Sequence, residues 1–403
     1  MSSSPYKTIA AVRILAVTAA ITCFLSTTAS AQNYVFTNIA DTTGPINDFG
    51  FAAINNGGTV AFAAGMDSSG ERIFTSDGGP LTSVADNDTG PFRGFYGYVA
   101  INDPGTVAFS AQHNDGRIGA FTTPGDGTYP VITDSNGPLV GVYEVQAINN
   151  AGTVAFRAAF PNSPGNQRSI FTGNGGPLTT IATDDSSDTF GSIYFSEHVA
   201  LNNGGALAFT RYASQGNDSP QRALLMSNGQ SLTTLADASG EFSQFGPRVG
   251  INDSGTIAFS ALLDSGTSAL YTAANGTVTA LFDSAGPFQI FGAADINDGG
   301  DLAFTARLDS GEFGIFTGPD PATDKVIAEG DALFGRTVTS VSFRSGDVFN
   351  NSGEILMYYT LDNGVTGYAV ATPVPEPGSL SLLAIGGLAT LRRFSTRRAM
   401  RRA

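Results

Sequence analysis

The chain has 403 residues, a formal net charge of −15, 50 Gly, no Trp and one Cys. Cys23 lies near the start, so the remainder builds neither a disulfide nor a thiolate metal site. The acidic balance repels nucleic acid and anionic lipid and favours cations, and no basic stripe offsets it.

Residues 1–31 read as a secretory leader. Lys7 and Arg13 give a positive start, Ile14 to Leu25 an apolar stretch, and Ala29-Ser30-Ala31 a small-residue site for signal peptidase, marked by Ala29 and Ala31. A lipoprotein start at Cys23 fits poorly, because Thr22 precedes it and the apolar stretch runs on. Residues 32–374 keep 12 of the 20 basic residues and 34 of the 35 acidic ones, a net charge of −22.

The body opens on a strand-like segment, Tyr34 to Asp41, and then repeats one phrase. Its clearest copy is Ala147-Ile148-Asn149-Asn150-Ala151-Gly152-Thr153-Val154-Ala155-Phe156. The first asparagines are Asn55, Asn102, Asn149, Asn202, Asn252, Asn297 and a worn seventh, Asn350, spaced by 45 to 53 residues. A period of that length means a repeat architecture. Each copy reads as a strand end, a tight turn and a new strand. The Asn side chain can bond the backbone two residues on, and the Gly can take a positive φ. These asparagines are therefore read as structural turn residues rather than a ring of ligands. Phe62, Phe109, Phe156, Phe209, Phe259 and Phe304 are expected in the core. The Ala before each suits a close approach between sheets; the seventh copy has Leu356 and Met357 instead.

Three further segments recur in each unit, giving four β-type segments: one into the Asn (A), Thr-Val-Ala-Phe (B), Ile-Phe-Thr (C) and Leu-Thr-x-Val-Ala-Asp (D). No sustained helical period interrupts them. Four antiparallel strands in each unit of about 49 residues match a β-propeller blade. The expected fold is therefore all-β: a seven-bladed β-propeller of four-stranded antiparallel blades over residues 32–373. The opening segment is of D type and the body closes on a C segment, so the first strand is expected to complete the last blade. An open β-solenoid is the alternative.

Little in the body points to catalysis. His113 and His198 lie in different units, and neither belongs to a metal-binding pair; His113 reads as a turn residue and His198 as lining a groove or channel. No nucleophile elbow or phosphate-binding glycine loop appears, so no catalytic residue is assigned. The B–C and D–A links are rich in carboxylates, among them Asp67, Glu71, Asp115, Asp86, Asp237 and Asp283. They are expected to gather on one acidic face, where Ca²⁺ is a possible ligand; no metal ligands are named.

The tail carries Val374-Pro375-Glu376-Pro377-Gly378, an apolar run from Ser379 to Leu391, and six arginines ending at Arg402. The run is short for a membrane span, and its arginines fit the cytoplasmic side. This order resembles the PEP-CTERM sorting signal, with Val374, Pro375, Glu376 and Pro377 as the motif. The resemblance implies export from a Gram-negative bacterium, processing by an exosortase, and transient membrane anchoring through residues 374–403 as a short transmembrane helix. Proteins bearing the signal are often associated with surface polysaccharide or biofilm matrix. The body resembles tandem-repeat surface proteins, which implies no particular activity. The expected role is a non-catalytic surface or matrix module that binds or adheres, with a surface polysaccharide or protein as ligand. A polysaccharide hydrolase or lyase using loop carboxylates is the alternative.

Overall fold

A computed structural model describes residues 34–374 apart from 162–168, 184–192, 216–217 and 345. The leader, including Ala29 and Ala31, and the tail from Pro375 onwards lie outside the described residues. Among the described residues no helix is long and apolar enough to cross a membrane.

The strands form seven antiparallel sheets. Blade 1 is Ile46–Ile54, Val60–Met66, Glu71–Ser76 and Thr82–Asp86, hydrogen-bonded in that order. Blades 2 to 6 repeat the meander, starting at Phe92, Gly141, Ile193, Phe242 and Phe288. Blade 7 takes Arg336–Ser342, Ile355–Leu361 and Thr366–Pro373 from the end of the body. Its fourth strand is β1, Tyr34–Asp41, which pairs antiparallel with Thr366–Pro373 from Tyr34↔Pro373 to Asp41↔Gly367. The molecule is a seven-bladed β-propeller closed by its first strand. Closure matters because an open ring would leave two sheets without a partner on one face.

Two details depart from the plain repeat. Blade 7 gains a short extra strand, Ala332–Leu333, beside Arg336–Ser342. The A strand of blade 5 breaks into Phe242–Phe245 and Gly250–Ile251. Pro247 sits in the break, where it has no N–H to give to a ladder.

Alternation along the B strand decides what fills each seam. Residues on either side of the phrase's Ala point to opposite faces. In blade 2, Ala108 packs on blade 3, whereas Val107 and Phe109 pack on blade 1. The six phrase phenylalanines are 0% exposed. Burying each contributes on the order of 1.5–3 kcal/mol. Seven hydrophobic clusters fill the seven seams, and in the last of them Leu356, in place of Ala, packs against blade 1.

Candidate functional site

The seven A–B turns converge on the axis. In each, the Gly N–H donates to the Asn carbonyl, as from Gly152 to Asn149 at 2.9 Å. The Asn N–H donates back across the turn, as from Asn149 to Thr153 at 3.0 Å. The Asn Oδ1 accepts from the residue four on in every copy, for example from Thr153 at 3.0 Å and Glu354 at 2.9 Å. All seven turn glycines have φ between 77° and 86°. Around Gly105, Gly152, Gly205 and Gly300 there is open space for a Cβ, so backbone conformation and not room selects glycine there.

The asparagines do more than shape their own turns. Asn55 Nδ2 donates to the Asn102 carbonyl at 3.0 Å, and the same step recurs from 102 to 149, 149 to 202, 202 to 252, 252 to 297 and 350 to 55. Asn297 instead donates to Asp301 at 3.1 Å. A second belt lies beside this one. The backbone N–H of each residue after the Asn donates to the side-chain oxygen of its counterpart in the next blade. It runs Asn56, Asp103, Asn150, Asn203, Asp253, Asp298, Asn351 and back to Asn56, with every bond between 2.7 and 2.9 Å. Burial works against the charge on Asp103, but donors from Asn150 and Asn56 outweigh it and hold its carboxyl below the usual range. The sequence pattern assigned a turn role to the first asparagine of each copy and no role to the Asn or Asp that follows it. The signal was present: every copy has Asn or Asp there, always an acceptor of the same length.

Inside the belts lies an axial cavity of about 100 Å³, lined by the turns together with Asp295 and Asp347. Arg248, 4% exposed, reaches Asp295 Oδ2 at 3.0 Å and also donates to the Gly346 carbonyl, joining blade 5 to blades 6 and 7. Asp295 Oδ1 accepts from Ile296 N–H, and Oδ2 also accepts from Val348 N–H. Asp347 is half-buried and lines the cavity. Burial, reinforced by Asp295 and opposed by Arg248, pushes its carboxyl up to about 7. His198 is buried; burial first, then the Arg248 charge, lowers its pKa well below the usual histidine value. Two carboxylates thus meet, one of them raised, which is a pattern of acid–base sites. The cavity is nevertheless below the roughly 300–1,000 Å³ of ligand pockets. Both oxygens of Asp295 are already engaged. The cluster fastens the blades around the axis.

At the opposite end the B–C and D–A links meet. The first bond of each contact is backbone: Asp67 N–H to Pro45, Asn114 to Pro91, Asp264 to Glu241, Asp309 to Pro287 and Asp362 to Thr337. Many of the carboxylates there serve their own turns. Asp41, Asp134, Asp237 and Asp283 each accept an N–H from two residues on. His113 Nδ1 lies 3.0 Å from Asp115 in such a turn. Among the described residues no group of three or more His, Cys, Asp or Glu side chains stands ready to hold a metal ion.

The larger opening lies at this end, between blades 1 and 2. It is a groove of about 510 Å³ lined by Asn47, Asp48, Glu71, Phe95 and Tyr96 over a floor of Gly50, Ala63 and Gly65. A second lobe of about 340 Å³ shares Glu71, Phe95 and Tyr96 and extends past Asn87, Arg93 and Gln112. Glu71 is fixed by accepting the Phe95 N–H at 2.8 Å, while its own N–H donates to Asn87 Oδ1 at 2.7 Å.

A family described as a family of unknown function (DUF7453) matches residues 133–348, more than half of the chain. The chain belongs to this family. The PEP-CTERM protein-sorting motif matches residues 373–398, which takes in Val374, Pro375, Glu376 and Pro377. That motif implies an exported protein with a membrane-associated C-terminus that an exosortase processes. No curated protein matches the chain. A chain from a structural and mechanistic analysis of two prolyl endopeptidases is similar at 12% identity and a TM-score of 0.50, over 83% of this chain and 51% of that one. This chain thus spans about half the length of that relative. YCF48 from Cyanidioschyzon merolae is 14% identical with a TM-score of 0.42, over 85% of this chain and 98% of that one. A chain of the mitotic checkpoint complex is 12% identical with a TM-score of 0.46, over 92% and 99%. Likeness at these identities concerns the fold alone.

Proposed function

We propose that this DUF7453 protein is a non-catalytic binding or adhesive propeller, displayed at the cell surface or in the matrix after sorting by an exosortase. One observation carries the reading. The sorting motif begins at residue 373, the last residue of the strand that pairs with β1, so the closed ring passes directly into the sorting tail. Pairing the first strand with the last suits display outside the cell, because neither end of the body is left as an unpaired strand for a neighbour. The leader through Ala31 supplies export, signal peptidase the first cut, and the tail a transient membrane hold.

The experiment uses the full chain in an exosortase-bearing host and in the same host lacking the exosortase. Mass spectrometry of the surface fraction should find chains cut near Pro375–Pro377 in the first and full-length, membrane-retained chains in the second. Cells should adhere to a polysaccharide-coated surface only when the propeller is present. Identical C-termini in the two hosts, or adhesion unchanged by deleting the propeller, would overturn the reading. The alternative, a polysaccharide hydrolase or lyase, draws support from Asp48 and Glu71 lining one groove. Release of reducing ends by the wild type, lost in Glu71→Gln, would establish it instead.

A further inference from the structure

Every seam uses the same positions of the B strand, but among the described residues the seam between blades 1 and 2 opens into a groove at its B–C end. The residue after the phrase's Phe is Ala63 in blade 1, against Ser110, Arg157, Thr210, Ser260, Thr305 and Tyr358 in the other six. Two positions further on, blade 1 has Gly65 where blade 2 has Gln112 and blade 6 has Arg307. By alternation these positions face the following blade, and Ala61 and Ala63 do pack on blade 2. In blade 5 the side chain there bridges outward: Ser260 Oγ donates to the Gly292 carbonyl of the next blade at 2.5 Å. Blade 1 has only Cβ atoms or hydrogens to offer. The groove of about 510 Å³ stands where those side chains are missing.

We infer that this groove binds a neutral saccharide of two or more sugar units. The inference rests on the binding role proposed above and names its site. The volume falls within the roughly 300–1,000 Å³ of ligand pockets. Phe95 and Tyr96 line the groove with aromatic carbon, a surface that takes the C–H face of a pyranose. Asp48 and Glu71 accept hydrogen bonds, and the amide of Asn47 both donates and accepts, as hydroxyl groups require. The second lobe shares Glu71, Phe95 and Tyr96 with the first and adds the amide of Gln112, so the site continues beyond one ring. The carboxylates, on a body of charge −22, turn away uronic acids and sulfated glycans. Arg93 in the second lobe opposes an extended cationic chain.

The test uses the intact propeller against an array of neutral, uronic-acid and sulfated oligosaccharides, with tetralysine as a cationic control. The wild type should bind neutral oligosaccharides. Tyr96→Ala should weaken that binding at least tenfold. Gly65→Gln, which installs the residue of blade 2, should abolish it. A melting temperature unchanged in both variants shows that the fold survives. Neutral-sugar binding that both variants keep would place the ligand elsewhere and overturn the inference, while leaving the binding role intact. Binding of tetralysine or anionic glycans alone would overturn the ligand class. Binding to nothing on the array would overturn the inference too, and the adhesion experiment would then judge the wider role by itself.

Discussion

The two faces of blade 1 were built from one repeat and ended as opposites. Towards blade 7 the seam is clamped. Tyr368 Oη donates to the Gly50 carbonyl at 2.7 Å, and Arg344 donates to the Phe49 carbonyl at 2.7 Å while lying 4.0 Å over the Tyr358 ring. Phe49 meets Tyr368 edge-on at 5.5 Å, and Ile54 N–H donates to the Asp347 carbonyl at 2.8 Å. Towards blade 2 the same blade shows Ala63 and Gly65 and leaves a groove. Gly50 stands at both seams: its carbonyl is held by Tyr368, and a Cβ on it would meet the Gly97 carbonyl at 2.8 Å. The turn belts are alike at both seams. What differs is the size of two side chains per blade. The belts hold the ring, and those two positions are free to shape a surface.

The strongest way to break the clamped seam is to remove its last partner. Deleting residues 34–41 strips blade 7 of β1 and exposes the edge of Thr366–Pro373. Calorimetry should show Tm falling by more than about 10 °C, with aggregation on heating. An ordinary seam gives the reference. Phe156→Ala, in the seam between blades 2 and 3, should cost roughly 3–5 kcal/mol in denaturant unfolding. A loss below about 1 kcal/mol would remove Phe156 from the load of that core.

Acidity probes the clamp from its axial side. The Asp347 carboxyl is raised to about 7 in the fold, so the folded state holds a proton that the unfolded chain releases near pH 4. Its contribution is present in full below about pH 4 and is lost as pH rises towards 7, by a few kcal/mol at most. Asp347→Asn should flatten that slope and stabilise the ring at neutral pH. A slope that survives the substitution would assign the proton elsewhere. Tyr368→Phe is milder. It leaves the Gly50 carbonyl without its donor and should cost about 1–3 kcal/mol, with the groove unaffected. Calcium should act least. Should the acidic end gather the ion, millimolar Ca²⁺ would raise Tm by about 1–2 °C, equally in clamp and groove variants. No rise and no heat in a titration would remove calcium from the account.

Much of this protein was legible in its residues. The spacing of the seven asparagines, the four β segments between them and the D-type segment at Tyr34 determined blade number, strand order and the manner of closure. These are local or periodic properties, and each copy carries its own turn, strand and core signal. The tertiary structure alone decided what lies between blades. That Asn56 accepts from Asn351, 295 residues away, depends on the ring being shut. That Arg248 reaches Gly346 past blade 6 depends on both lying at the axis. The groove at Glu71 and Tyr96 was hidden for the same reason: a hollow is the absence of side chains from two blades at once, and no single stretch of sequence records where two blades face each other.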